Sequence, residues 1–253
     1  MSILRRWLSK ILSFMVLIVL SETLYAQEIS VLTENWAPYN YKDKSGNIVG
    51  YSTEVVKEVF KRAGLKYKIS MYPWKRAVMN VDTNKDTMIY TIARTQKRES
   101  QYKWIGPIAP RKLNVYKMKI RDDIKVTQVE DLKKYGQTLG LMRGDASLEY
   151  FQENGFDDRH YQIVTDTKLN INKFFLGRIW FIVSNDLTLA YLCKIHGYDC
   201  EKIERVLTII DRGGYYLAFN KDSSDILVNQ LQKAFDEIKN DGTLEKIKRS
   251  QLN

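Results

Sequence analysis

Three segments decide the fold: Ile29-Ser30-Val31-Leu32-Thr33, Val55-Val56-Lys57-Glu58-Val59-Phe60-Lys61-Arg62-Ala63-Gly64, and Tyr67-Lys68-Ile69-Ser70-Met71. In the first, Ile29, Val31 and Thr33 recur at every second position, and in the third Tyr67, Ile69 and Met71 do the same. That is the period of a strand with one buried face. Between them, Val55, Val56, Val59, Phe60 and Ala63 share one side of a helix, with Ser52 or Thr53 available as cap and Gly64 as terminator. Strand, helix and strand in this order form a βαβ unit, so the chain opens as an α/β protein with a largely parallel sheet.

Working outward, the same alternation continues. A short helix over 75–81 leads to a strand over 88–92. After Pro107 and Pro110 a second series begins, with a strand over 113–118, a short helix over 131–134, a strand over 138–142 and a helix over 146–154. Strands over 163–164 and 180–183 then alternate with helices over 171–176 and 187–196. The chain closes with a strand over 215–219 and a helix over 226–239 ended by Asp241-Gly242. This is a second α/β unit, and no short-period repeat or low-complexity linker separates it from the first.

Upstream of Ile29 lies an address. Arg5, Arg6 and Lys10 precede an apolar run over 11–20, and Leu24-Tyr25-Ala26 closes the segment as a secretory signal peptide over 1–26, with cleavage near Ala26. The apolar run is about half the ~20 residues a spanning helix needs. No cysteine stands near the cleavage point to carry a lipid, so the product is expected free in the periplasm.

The whole chain carries 40 basic and 30 acidic residues, and removing Arg5, Arg6, Lys10 and Glu22 leaves 37 against 29, a net charge of +8. Lys and Arg are interspersed with Asp and Glu rather than gathered in a block, which argues against a nucleic-acid partner and leaves a mild preference for anionic solutes. Cys193 and Cys200 are the only cysteines. An oxidising compartment favours their pairing as a disulfide, and the spacing allows it without requiring it. His160 and His196 are the only histidines, so no zinc ligand set and no cysteine–histidine pair stands out. No cofactor motif is present.

Four further elements carry a resemblance. They are Trp36-Ala37-Pro38-Tyr39 with Gly46 and Gly50-Tyr51, the run Ile92-Ala93-Arg94-Thr95-Gln96-Lys97-Arg98 followed by Trp104-Ile105-Gly106-Pro107, Asp131-Leu132 with Gly140 and Arg143-Gly144-Asp145-Ala146, and Lys239-Asn240-Asp241-Gly242-Thr243-Leu244. In this order and spacing the chain resembles the bacterial extracellular solute-binding proteins of the polar amino-acid type (family 3), which serve ABC importers. The resemblance implies a two-lobed periplasmic-binding-protein fold (type II), with the ligand cleft between lobes joined by two crossing strands. It places lobe 1 at 28–113 plus 216–253 and lobe 2 at 114–215. A monomer is the default.

The resemblance also implies site residues. Arg98 matches an arginine that pairs with a ligand carboxylate, a role suited to a planar, five-donor guanidinium. Thr91, Ala93 and Thr95 match the adjoining segment that offers backbone and hydroxyl contacts, and Trp36 and Trp74 fall where relatives place rings against the solute. Gly144, Asp145, Ala146 and Ser147 open a helix whose amides could hold an anion, with Arg143 beside them. Each position also has an ordinary structural explanation: a surface ion pair to Glu99 or another acid for Arg98, core burial for the tryptophans, turn structure for 91–95, a capped helix start for 144–147.

Three departures stand against these matches. Asn185 occupies the place where amino-acid binders hold the ligand ammonium with an aspartate, and an amide lacks that charge. Trp180 replaces an acid that commonly begins the same strand, while Glu34 adjoins the position, Thr33, near which several relatives carry one. The expected function is capture of a small polar, carboxylate-bearing solute for an ABC-type permease or a membrane receptor. The alternatives are a periplasmic dehydratase of the same fold, with Glu34, Asp145 or Asp186 as acid or base, and a sensory or partner-binding module with a vestigial cleft.

Overall fold

The structure is a computed structural model that describes residues 28–252; the expected signal peptide over 1–26 lies outside them. In chain order the strands are β1 (Ile29–Thr33), β2 (Tyr41–Lys42), β3 (Ile48–Val49), β4 (Tyr67–Met71), β5 (Thr87–Ala93), β6 (Tyr102–Met118), β7 (Leu139–Met142), β8 (Tyr161–Val164), β9 (Phe181–Ser184) and β10 (Ile203–Asn220). The helices are α1 (Tyr51–Ala63), α2 (Trp74–Thr83), α3 (Ala146–Glu153), α4 (Thr167–Phe175), α5 (Asp186–His196), α6 (Asp225–Asn240) and α7 (Thr243–Leu252).

Eight strands form one sheet in the order β4-β1-β5-β10-β6-β9-β7-β8, while β2 and β3 pair separately. β1 is parallel to both β4 and β5, and β7 is parallel to both β8 and β9. Between these parallel sets run β6 and β10, antiparallel to each other from Ile203↔Met118 to Asn220↔Tyr102. They are far longer than the segments 113–118 and 215–219 expected from periodicity. β6 passes through Pro107 and Pro110, which lack a donor, and its pairing with β10 shifts register four times. Such irregularities accommodate proline in a strand and let one strand serve both halves of the sheet.

Each half is a sheet covered on both faces. In the first, Val55, Val56, Val59 and Phe60 of α1 and Leu231, Phe235 and Ile238 of α6 pack on Val31, Met88 and Tyr90. The opposite face holds Trp74, Ala77 and Val81 of α2 against Leu32, Ile89 and Ile92. In the second half, Leu139, Leu141, Phe151 and Phe181 form one core. Ile171, Phe174, Leu189 and Leu192 form the other.

Helix α1 starts two or three residues earlier than the cap reading required. Its N-cap is Gly50, with φ 111° and no side-chain cap, and a Cβ there would meet the Pro38 carbonyl oxygen at 2.6 Å. Ser52 and Thr53 are buried inside the helix instead, where Thr53 Oγ1 lies 2.9 Å from the Tyr90 hydroxyl. Gly64 terminates the helix in the left-handed region. The segment expected as a helix over 131–134 is a 3-10 turn spanning Val129–Tyr135. Beyond Asp241-Gly242 the chain continues as α7, an element the reading of the C-terminus did not include; Leu244 and Ile247 pack on the first core.

Cys193 and Cys200 form a disulfide with Cα atoms 5.8 Å apart, tying the last turn of α5 to the turn that precedes β10. No helix among the described residues is long and apolar enough to cross a membrane.

Candidate functional site

The ends of the parallel strands face one another across β6 and β10, and a partly open cavity of about 70 Å³ lies between the two halves. Its first-half wall comes from Glu34 and Trp36 after β1, Thr91 and Ala93 of β5, Trp74 of α2, and Arg98. The second half supplies Asp145, Ala146 and Ser147 at the start of α3, Thr167 and Asn170 of α4, and Ser184 and Thr188 around the start of α5. The crossing strands add Arg111, Leu113 and Tyr215.

Local backbone chemistry aims several of these side chains. Along β5, Met88 and Tyr90 face one core and Ile89 the other, but Ile92 and Ala93 reverse that phase. The cause is Thr91, at φ 62°, which β10 skips when it pairs Tyr216 with Ile92 and Leu217 with Tyr90. A β-branched residue in the left-handed region is strained, and the bulge turns Thr91 out of the ladder toward the cavity. On the other side, Asp145 caps α3 by accepting from the Ser147 amide. Asn170 donates to the Gly140 carbonyl at 3.2 Å, and only glycine leaves room: a Cβ at Gly140 would come within 2.1 Å of Asn170 Oδ1.

Two contacts bridge the halves beside the cavity. Trp74 Nε1 donates to the Gly144 carbonyl at 2.8 Å. Arg98, 5 % exposed, donates from Nη2 to the same carbonyl at 3.2 Å and to Glu149 Oε1 at 2.6 Å. The surface partner considered for it, Glu99, is held by Arg94 instead. Five buried polar atoms of lining residues have no partner: Thr91 Oγ1, Arg98 Nη1, Arg111 Nε, Asn170 Oδ1 and Thr188 Oγ1. Buried polar groups are usually satisfied, so these five leave hydrogen-bonding capacity unused among the lining residues.

Glu34 is a buried, perturbed acid in the wall. Its carboxyl is pushed well above the usual range by burial and, next, by the negative charge of Asp145, while Arg98 acts the other way. Its neighbourhood is aromatic. Trp36 lies 4.8 Å from Tyr39 and 4.9 Å from Tyr215, ring centre to ring centre. Burial also raises the Tyr39 hydroxyl, to about 12. No group of three or more His, Cys, Asp or Glu among the described residues could hold a metal ion.

The structure thus brings together Trp36, Trp74, Thr91, Ala93, Arg98, Asp145 and Ala146, with Gly144 contributing its carbonyl to the bridge. It does not bring Thr95, Arg143 or Asn185 to the cavity wall. Thr95 lines a more open recess with Arg94 and Gln96. Arg143 is exposed, because the turn through Gly144 at φ 74° points it outward. Asn185 is buried as the N-cap of α5, its Oδ1 accepting from the Thr188 amide at 2.8 Å. Arg111, Tyr215, Asn170 and Thr188 were not singled out from the sequence. A charged residue inside a β run was the one available signal, at Arg111.

The sequence profile of the bacterial extracellular solute-binding proteins, family 3, matches residues 29–252. The chain belongs to that family. This family 3 protein is 24% identical over 218 residues to the probable amino-acid-binding protein YxeM of Bacillus subtilis (strain 168), covering 85% of this chain and 80% of the relative. To the histidine-binding periplasmic protein of Escherichia coli (strain K12) it is 25% identical over 237 residues, covering 87% and 86%. Among solved structures it superposes on an ancestral arginine-binding protein bound to arginine with a TM-score of 0.78, 21% identity, and 89% and 98% coverage. The fold is that of the type II periplasmic binding proteins: two lobes, a cleft between them, and two strands crossing.

Proposed function

We propose that this family 3 protein is a periplasmic receptor that captures a small, polar, amino-acid-like solute between its lobes and presents it to an ABC-type permease or a membrane receptor. The observation that carries this reading is the recess between the halves, whose lining residues hold five buried polar atoms without partners among the described residues. A solute that supplies those partners and is desolvated by closure gains the strength that hydrogen bonds have in a dry site. The signal peptide read over 1–26 and the kinship with a periplasmic relative support the compartment.

The test is thermal unfolding of residues 27–253, refolded to strip any co-purified guest, against amino acids, organic acids, amines and small peptides. A solute bound only by the folded state at a hundredfold excess over its Kd adds about 2.7 kcal/mol of stability and raises Tm. A rise confined to one chemical class is expected; a flat response across the library contradicts the proposal.

The second reading, a dehydratase, is favoured by one feature, a buried carboxyl at Glu34 whose hold on its proton is tightened by burial and then by Asp145, as in a general acid. Product analysis of each compound that raises Tm separates the two, since a receptor returns its solute unchanged.

A further inference from the structure

Resting on the binding role just proposed, we propose that the solute site continues past Arg111 and Ala146 into a second recess. The receptor then takes a short peptide whose first residue lies in the cavity between the lobes and whose remainder lies in that recess.

The cavity alone is small. At about 70 Å³ it lies well below the ~300–1,000 Å³ of ordinary small-molecule sites, and at ~10–15 Å³ per water it holds about five to seven waters. The recess, of about 650 Å³, falls inside that range. Arg111 and Ala146 line both spaces, Arg98 lines the cavity, and its partner Glu149 lines the recess. The two are therefore neighbours, parted by an alanine methyl group, one ion pair and one arginine.

Strand pairing makes that arginine a wall that can give way. β10 pairs Asp211 with Lys112 and Gly214 with Pro110, so Arg111 stands opposite two residues, Arg212 and Gly213, which also line the recess. One residue against two is a bulge, turned here by Gly213 at φ 79°, and it takes Arg111 out of the regular ladder. Arg111 is 9% exposed, joins no ion pair among the described residues, and has no partner at Nε. Its neighbours differ, since Glu99 grips Arg94 and Glu149 grips Arg98. Arg111 swings aside without breaking an ion pair.

The unused groups of the recess define what fits it. Arg111 Nε is a donor, Glu149 Oε2 an acceptor, and the Thr95 hydroxyl serves as either; all three are buried without partners. A short peptide supplies a carbonyl or terminal carboxylate for Arg111 and an amide N–H for Glu149. Tyr150 and Ile209 offer apolar surface to a small side chain. The other charges there without an ion pair, Arg212 and Glu153, are exposed and stay hydrated.

L-Alanine, di-L-alanine and tri-L-alanine form a series that differs in length alone. Residues 27–253, refolded to strip any guest, are titrated with each by calorimetry, as wild type and as Thr95→Val and Tyr150→Ala, with circular dichroism to verify folding. The wild type is expected to bind the peptides about tenfold more tightly than L-alanine, the scale of one or two hydrogen bonds. Each substitution is expected to lower the affinity for tri-L-alanine about fivefold relative to that for L-alanine, because Thr95 and Tyr150 line the recess and not the cavity. The wild-type series decides by itself where a variant fails to fold.

Three results overturn the proposal. L-Alanine binding as tightly as the peptides would confine the solute to the cavity and leave the receptor reading standing. A preference for the peptides that survives both substitutions would put the tail outside the recess. Silence from all three probes refutes the peptide assignment, and silence from the whole library refutes the receptor reading with it.

Discussion

Glu34 sets a pH dependence that can be read without any solute. Its folded-state carboxyl holds its proton more tightly than the unfolded chain, whose ordinary value is 4.5. Between the two values the folded state binds more protons, so stability falls as pH rises. The contribution is fully present below about pH 4.5 and lost as pH climbs through the folded value. Melting curves from pH 4 upward are therefore expected to diverge, with Glu34→Gln melting above wild type by a margin that widens with pH. Parallel curves would show that Glu34 ionises in the fold as freely as in water. Sequence placed Glu34 beside a position of interest and among three acids of the dehydratase alternative, but not its burial, since a lone acid after a strand looks like any N-terminal loop residue. Trp36 and Arg98 stood out because they sit in short motifs, whereas Trp74 was placed by resemblance. Thr91 was placed by resemblance alone: nothing in Tyr90-Thr91-Ile92 announces a left-handed threonine, which follows from how β10 pairs across it.

At the scale of elements, two constructions make predictions. Strand β7 meets α4 at Gly140, where an added Cβ would also press on Ile179 Cδ1 at 2.5 Å. Gly140→Ala should cost about 1–3 kcal/mol, the range for overpacking, and weaken solute binding by displacing Asn170; urea unfolding and calorimetry measure the two. The disulfide closes a sequence separation of 7. A loop this short implies about 2.5 kcal/mol from chain entropy, so Cys193→Ser with Cys200→Ser should lower the urea midpoint by a corresponding amount. Hydrogen exchange should rise first at the C-terminal turn of α5. Most elements could be read because their period matches their burial, as in α1 and β1. The crossing strands could not: β6 contains Pro107 and Pro110, and the shifts in its pairing with β10 break the period-two alternation that marks a strand. Helix α7 escaped notice because Asp241-Gly242 is a strong stop signal and the segment after it buries little.

In the whole molecule the two lobes meet, with Ala146 and Leu187 of the second packed on the first core and Met142 on the small core around Trp74. Besides Arg98, the Trp74–Gly144 bond is a direct tie between lobes, and the Tyr41 and Tyr191 rings meet at 5.4 Å. Trp74→Phe keeps a ring in the small core with Leu32, Ala77 and Val81 but removes the donor. Losing about 1 kcal/mol of closure should shift the open-to-closed ratio about fivefold. Small-angle scattering should then report a larger radius of gyration for the ligand-free variant than for wild type, while Tm moves little. An unchanged radius would mean that the bond forms only as a by-product of closure held elsewhere.

The route of the chain through the sheet has a further consequence, for biogenesis. The second lobe is one uninterrupted run, whereas the first is begun by β1, β4 and β5 and completed only when the far end of β10 and then α6 arrive. Ala93 waits for Tyr215, and Met88 for Phe219. In a polypeptide threaded across a membrane from its N-terminus, the earliest segments to emerge keep an unsealed β edge until the last have followed. The middle can condense meanwhile. A translocating chain of this design stays extended at its leading end, and a truncation that spares every cavity residue but removes α6 would strand that edge in the open.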